Sequence, residues 1–306
     1  MRLLRYTVPP GWEGASVKDF AQKRLGFSSR VLAQQKRIPG GVTQNGMPVF
    51  TTARLHAGDE LAFALPEEAA GYPAAPLPLA VLWESGDYLI VDKPAWMPMH
   101  PSPGHDRDSL LHAVAYYYGQ TGQSHRVCPL YRLDKDTSGL AALGKHRLAA
   151  CAVAVEKRYF AVCQGGLSGS GTVDVPIGLE PGSKIKRACG AGQRAVTHWQ
   201  AVCAANGHTL CAIRLETGRT HQIRAHFAYM GHPLAGDDLY GGSLALIGRQ
   251  ALHCGWLALS SPALAVPGPL TCPFPAGLRA AFPWLPPVEQ TLSCLPGLEN
   301  VPPNKK

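Results

Sequence analysis

Residues 67–80, EEAAGYPAAPLPLA, carry Pro73, Pro76 and Pro78 without any apolar periodicity, and this stretch constrains the fold more than any other. Proline fixes φ and has no amide proton to give, so neither a helix interior nor a central strand runs through such a segment. A chain of 306 residues already exceeds one ordinary domain. The break therefore predicts two units joined by a semi-stiff linker: a small domain over 1–66 and a larger one over 81–286.

The small unit opens with Ser16 and Asp19 as a helix start, followed by Val17, Phe20, Ala21 and Leu25 at helical spacing until Gly26. Ser28 or Ser29 caps a second helix running to about Arg37, which carries Arg30 at one end and Lys36 and Arg37 at the other. Asn45-Gly46 signals a hairpin, and Leu61, Phe63 and Leu65 alternate as a half-buried strand. Nine lysines and arginines face four carboxylates within residues 1–66, so much of the chain's net charge of +8 is concentrated there. A basic surface of this kind suits a polyanion, because cations that neutralise phosphates release condensed counterions. The competing reading is a solvated helix face that happens to be basic.

Beyond the linker, VLWESGDYLIVDKP places a short apolar strand at Tyr88–Val91, and Ser109 to Tyr118 has the pattern of a helix. Short strands follow at 159–163, 195–202 and 210–215. A helix is expected over Thr220 to Met230, capped by Thr220 and stopped by Gly231. The class is α+β. Residues 287–306, rich in proline and ending in two lysines, read as a flexible tail. No apolar run is long enough for a bilayer and the N-terminus lacks a signal-peptide core, so the expectation is a cytoplasmic protein with no membrane contact. Nine irregularly spaced cysteines without a C-x-x-C pair suggest neither a disulfide framework nor a zinc ribbon.

The segment Tyr131 to Leu140, YRLDKDTSGL, sets Asp134 inside an otherwise strand-like run. Its D-x-D-x-S-G start imitates a calcium loop, but the twelfth position is Lys145 where a bidentate glutamate is required, which argues against calcium. A polar turn accounts for Asp136, Ser138 and Gly139 and leaves Asp134 unexplained. A second basic cluster, LETGRTHQIRAHF (215–227), offers a partner: Arg219 precedes a helix and Arg224 lies about one and a half turns along it. The histidines at 221, 226 and 232 lack the spacing of a zinc site. Residue types and spacing alone support an RNA-binding protein with a possible single-carboxylate site.

The chain resembles the RluA family of RNA pseudouridine synthases from about residue 16 to about 262. The ordered blocks LIVDKP (89–94), MHP (99–101), RLDKDTSGL (132–140), KRY (157–159), AVT (195–197), TGRTHQIR (217–224), GHPLAGDDLYG (231–241) and LHC (252–254) carry the likeness. SSR (28–30), GVTQNG (41–46) and GDEL (58–61) likewise resemble an RNA-binding domain shared with a ribosomal small-subunit protein. The resemblance implies a mixed, mainly antiparallel sheet in the catalytic domain and a small α/β RNA-binding module before it. It implies isomerisation of specific uridines in structured RNA, ribosomal RNA first and transfer RNA second, with no metal, no cofactor and a monomeric enzyme.

By that resemblance Asp134 is the catalytic carboxylate, Arg219 pairs with it, and Tyr159 faces the flipped uracil. Ile223 closes the pocket, Arg132 and Arg224 anchor substrate, and Arg30, Lys36 and Arg37 bind RNA elsewhere. Two departures stand out: Tyr131 where the family has histidine, and WMPM (96–99) before His100. The alternative is a catalytically silent RNA-binding or ribosome-assembly factor on the same fold. A glycosidase would require a second, suitably placed acid.

Overall fold

The computed structural model describes residues 1–293. Its centre is a ten-stranded sheet whose main path runs Ser170–Asp174, Val196–Ala205, His208–Leu215, Ala154–Gln164, Leu252–Ser260, Ser138–Gly144, Tyr88–Lys93 and Ala80–Glu84. Two short strands, Leu270–Thr271 and Cys128–Pro129, join at its flanks. Every pairing is antiparallel except one, where Leu252–Ser260 meets Ser138–Gly144 with His253 opposite Ser138 and Cys254 opposite Gly139.

The inner strands are apolar because they are covered on both faces. All seven residues of Ser138–Gly144 are buried, and Tyr88 to Val91 are fully so. Gly139 is required by the parallel joint. It sits at φ +109°, and a Cβ there would stand 2.2 Å from the Cys254 carbonyl oxygen.

The N-terminal sheet is separate, ordered Arg2–Thr7, Glu60–Leu65, Val42–Gln44, Met47–Pro48. Ser16 caps Val17–Asp19 by accepting from the Asp19 amide at 3.0 Å, and the helix then widens into a π-turn over Phe20–Arg24. Ser28 caps the second helix, Ser29–Gln35. Phe20, Leu32 and Phe63 form the core of this unit, with Leu148 and Ala152 of the larger half packed into it. At the seam Arg2 and His146 both reach Asp87 at 2.8 Å.

Three features differ from the sequence expectations. Residues 287–293, expected in a tail, contain the helix Val288–Ser293, with Val288 packed beside Leu285 and Phe282; the rest of the expected tail, 294–306, lies outside the described residues. The helix expected from Thr220 is Gln222–Tyr229, because His221 takes a left-handed backbone at φ 56° and becomes the residue before the first turn. The strand Arg2–Thr7 has no counterpart among those expectations: RLLRYT alternates weakly and is extended by pairing with residues almost 60 positions away.

Candidate active site

A cavity of about 660 Å³ opens between the 130–137 segment, the strand Ala154–Gln164 and the 215–224 segment. Arg132, Asp134, Tyr159, Arg219, Ile223 and Arg224 all line it, so residues spread over almost a hundred positions share one space. Arg30, Lys36 and Arg37 do not line it and stand exposed on the N-terminal unit.

Asp134 begins a tight turn in which the Thr137 amide donates to the Asp134 carbonyl at 3.1 Å, after which the strand Ser138–Gly144 starts. Three long-range donors hold this turn. The Lys93 ammonium donates to the Lys135 carbonyl at 2.9 Å, Arg249 to the Asp136 carbonyl at 3.0 Å, and the Gln250 amide to the Thr137 hydroxyl at 3.3 Å. A turn fixed at three successive residues leaves the carboxylate beside them little freedom.

The sequence expectation that Arg219 pairs with Asp134 is corrected here. Arg219 is exposed and its Nε donates to the Arg194 carbonyl at 3.0 Å. The cation facing Asp134 is Arg224, with Nη1 at 3.9 Å from Oδ2. Arg224 is itself held by a two-pronged bond to Asp237, Nε to Oδ2 and Nη2 to Oδ1, both 2.7 Å. Helical geometry explains the exchange: Arg224 occupies the inward face of Gln222–Tyr229, whereas Arg219 lies in the preceding turn. Gln222 builds that turn by accepting from the Thr217 hydroxyl and the Arg219 amide and donating to the Val196 carbonyl.

Burial raises the Asp134 carboxyl above its ordinary value, and Arg224, Arg132 and Lys93 pull against it without reversing the direction. At 3.9 Å Arg224 stabilises the anion through its field without donating a short hydrogen bond, so the carboxylate keeps free lone pairs toward the cavity. Burial also pushes the Tyr159 phenol well up, with Cys254 and Asp134 adding to the effect, so it stays neutral. Tyr159 is 6% exposed on the cavity wall, and Ile223, 4% exposed, stands on another.

Tyr131 fills its place by packing. Its hydroxyl donates to the Leu140 carbonyl at 2.7 Å and its ring lies under the Lys157 ammonium at 4.0 Å. Lys93, Asp237, Gln222 and Arg249 are absent from the residues that the sequence singles out. A signal for Lys93 and Asp237 was present: each belongs to a charged pair set in a largely apolar block, Asp92-Lys93 in LIVDKP and Asp237-Asp238 in GHPLAGDDLYG, an argument close to the one that selects Asp134. Lys93 is fully buried, and that burial pulls its ammonium down to about 7, opposed by Asp136 and Asp134. Carbonyls of Pro94, Met97 and Lys135 at 2.7–2.9 Å take all three of its N–H bonds, which favours the charged form.

Among the described residues no group of three or more His, Cys, Asp or Glu side chains could hold a metal ion, and no helix is long and apolar enough to cross a membrane.

The family model for RNA pseudouridylate synthase matches residues 87–229, which include Asp134, Tyr159 and Arg224. The chain is 41% identical over 258 residues to the uncharacterized RNA pseudouridine synthase YjbO of Bacillus subtilis, spanning 81% of this chain and 91% of that one. It is 35% identical over 250 residues to the ribosomal large subunit pseudouridine synthase D of Pseudomonas aeruginosa, covering 74% and 78% respectively. The human RNA Pseudouridylate Synthase Domain Containing 1 structure superposes with a TM-score of 0.58 at 21% identity, over 76% of this chain and 99% of that one, which places the fold. The chain belongs to the RluA family of RNA pseudouridine synthases. It is an isomerase acting on uridine in RNA.

Proposed function

We propose that this enzyme isomerises uridines of large-subunit ribosomal RNA, with Asp134 as the reacting carboxylate and the target nucleotide swung out of its stack into the cavity. The observation that carries the reading is the placement of Asp134 beside Tyr159 and 3.9 Å from Arg224 in a single open cavity. The relatives named for the large ribosomal subunit support the choice of RNA.

A stacked base hides its glycosidic bond, so extrusion precedes chemistry. Tyr159 offers an aromatic face to the uracil and Ile223 a hydrophobic wall. The N1–C1′ bond breaks, the base turns while held, and a C5–C1′ bond forms; the C5 proton is lost and N1 gains one. Asp134 serves this either as a nucleophile or as the base that removes a ribose proton. Burial raises the energy of its anion, which sharpens both abilities, while the fields of Arg224, Arg132 and Lys93 pull in the opposite direction. Arg132 and Arg219, exposed at the mouth, meet phosphates, and residues 1–66 form an RNA-binding domain that grips the backbone farther away through Arg30, Lys36 and Arg37. The protein acts as a cytoplasmic monomer without metal or cofactor.

The test is pseudouridine mapping of total RNA from cells with and without the protein, complemented by wild type or Asp134→Asn. Sites in large-subunit RNA that return with wild type and stay absent with the variant are expected. Sites confined to transfer RNA would move the substrate, and full restoration by Asp134→Asn would remove Asp134 from the chemistry.

A further inference from the structure

Two costly properties coincide at Trp96 and at no other described residue. Its backbone is left-handed at φ 68°, and its large apolar side chain is 57% exposed. The other non-glycine residues with positive φ are Asn45, Asn206 and His221, types enriched in that region, whereas a tryptophan is penalised there. Backbone strain of this kind persists where the surroundings over-determine it.

The surroundings here are shared with the proposed catalytic turn. Lys93 donates to the carbonyls of Pro94 and Met97, on either side of Trp96, and with its third N–H to Lys135, the neighbour of Asp134. Met97 and Met99 are buried in the main core, and the Pro98 carbonyl accepts from the Leu110 amide at 2.8 Å. The loop is thus clamped with its indole turned out to solvent. No hydrogen bond or ring pair among the described residues engages the indole. Residues 94–100 do not line the cavity, but Lys93 ties this loop to Lys135, directly beside Asp134, which does.

We propose that Trp96 is a stacking platform for a nucleobase adjacent to the target uridine, an affinity contact outside the Asp134 cavity. The inference rests on the reading that the cavity receives the target. Every base presents a π-face, so an exposed, rigidly held indole binds a flanking nucleotide without losing flexibility. The exposed cations Arg132 and Lys135 stand ready for the phosphates of the same stretch.

The experiment compares wild type, Trp96→Gly and Trp96→Phe as full chains on purified ribosomal RNA and transfer RNA lacking the modification. Trp96→Gly removes the indole and the left-handed penalty together, so it should unfold at or above the wild-type temperature. Its half-saturating RNA concentration should nonetheless rise about tenfold, with the Phe variant intermediate, as expected when one base–aromatic stack is removed. The single-turnover rate at saturation should remain near that of wild type. An unchanged half-saturating concentration in the folded Gly variant, a Phe variant as weak as Gly, or a loss confined to the saturated rate would each overturn the proposal. If wild type modifies only transfer RNA, the ribosomal assignment fails while the Trp96 comparison is read on transfer RNA. If it modifies neither, direct binding of the same RNAs decides whether the indole contributes.

Discussion

Arg224 is buried between Asp134 and Asp237, whereas Arg30, Lys36 and Arg37 stand in water along and just beyond the helix Ser29–Gln35. Both groups are positive charge in an RNA-modifying enzyme, yet their physical demands are opposite. A buried guanidinium has been stripped of water and is tolerated only where fixed oxygens replace it, so its value depends on angstroms. An exposed cation keeps its water, is screened within about 10 Å at 0.1 M salt, and contributes through number more than through position. Position decides the effect of a charge in the cavity, and number decides it on the exposed helix.

The largest effect that would sharpen this contrast comes from Arg224→Ala. It leaves the Asp237 carboxylate, whose side chain is fully buried, without its two-pronged partner, and breaking a buried pair costs roughly 3–5 kcal/mol. Arg219→Ala, five residues earlier but exposed, should change folding stability by no more than about 0.5 kcal/mol. Chemical denaturation of both variants measures this directly. Equal destabilisation would mean that burial does not separate the two arginines, and the comparison would break.

A smaller effect is expected from replacing Arg30, Lys36 and Arg37 with Gln together. RNA affinity should fall, and the slope of log affinity against log salt should become shallower by about 0.7–0.9 for each phosphate that is no longer neutralised. The rate at saturating RNA should hold, since none of the three lines the cavity. Binding titrations across a salt series check both points; an unchanged slope would assign the basic helix to some other partner. Charge removal is preferable to deleting 1–66, because Leu148 and Ala152 would lose the core they complete and Asp87 would lose Arg2.

What was legible in the sequence follows the same division. Local patterns sufficed where residues are neighbours in the chain: the Ser16 and Ser28 caps, the Asn45-Gly46 hairpin, the strand through Tyr159, and the anomaly of a carboxylate in YRLD. The family likeness then brought Asp134, Tyr159 and Arg219 to one site in expectation, with Arg224 only as a substrate anchor beside them. It did not reveal which arginine faces the carboxylate, because that depends on the left-handed His221 and on the turn that Gln222 assembles. Nor was the clamp of Lys93 readable, since its acceptors are carbonyls, which every residue possesses. The helix Val288–Ser293 is a different omission: Val288, Thr291 and Leu292 show helical spacing that the surrounding prolines obscured.

The smallest expected effect tests the cavity's electrostatics through pH. Burial raises the Asp134 carboxyl, so the folded protein retains that proton at pH values where the unfolded chain has released it. Between the ordinary carboxylate value and the raised one, stability therefore falls as pH rises, and above both the ionised group imposes a constant cost. Asp134→Asn removes that cost. At neutral pH the variant should unfold slightly above wild type, and the advantage should fade as pH drops below the ordinary carboxylate range, where both proteins are neutral at this position. Wild-type turnover should fail on the acid side at a pH above that of an unperturbed carboxylate, because the reacting form is the anion. Thermal unfolding of the pair across pH, beside the acid limb of the rate profile, measures the two consequences of one shift. A wild type more stable than Asp134→Asn at neutral pH would show that Arg224, Arg132 and Lys93 more than offset desolvation.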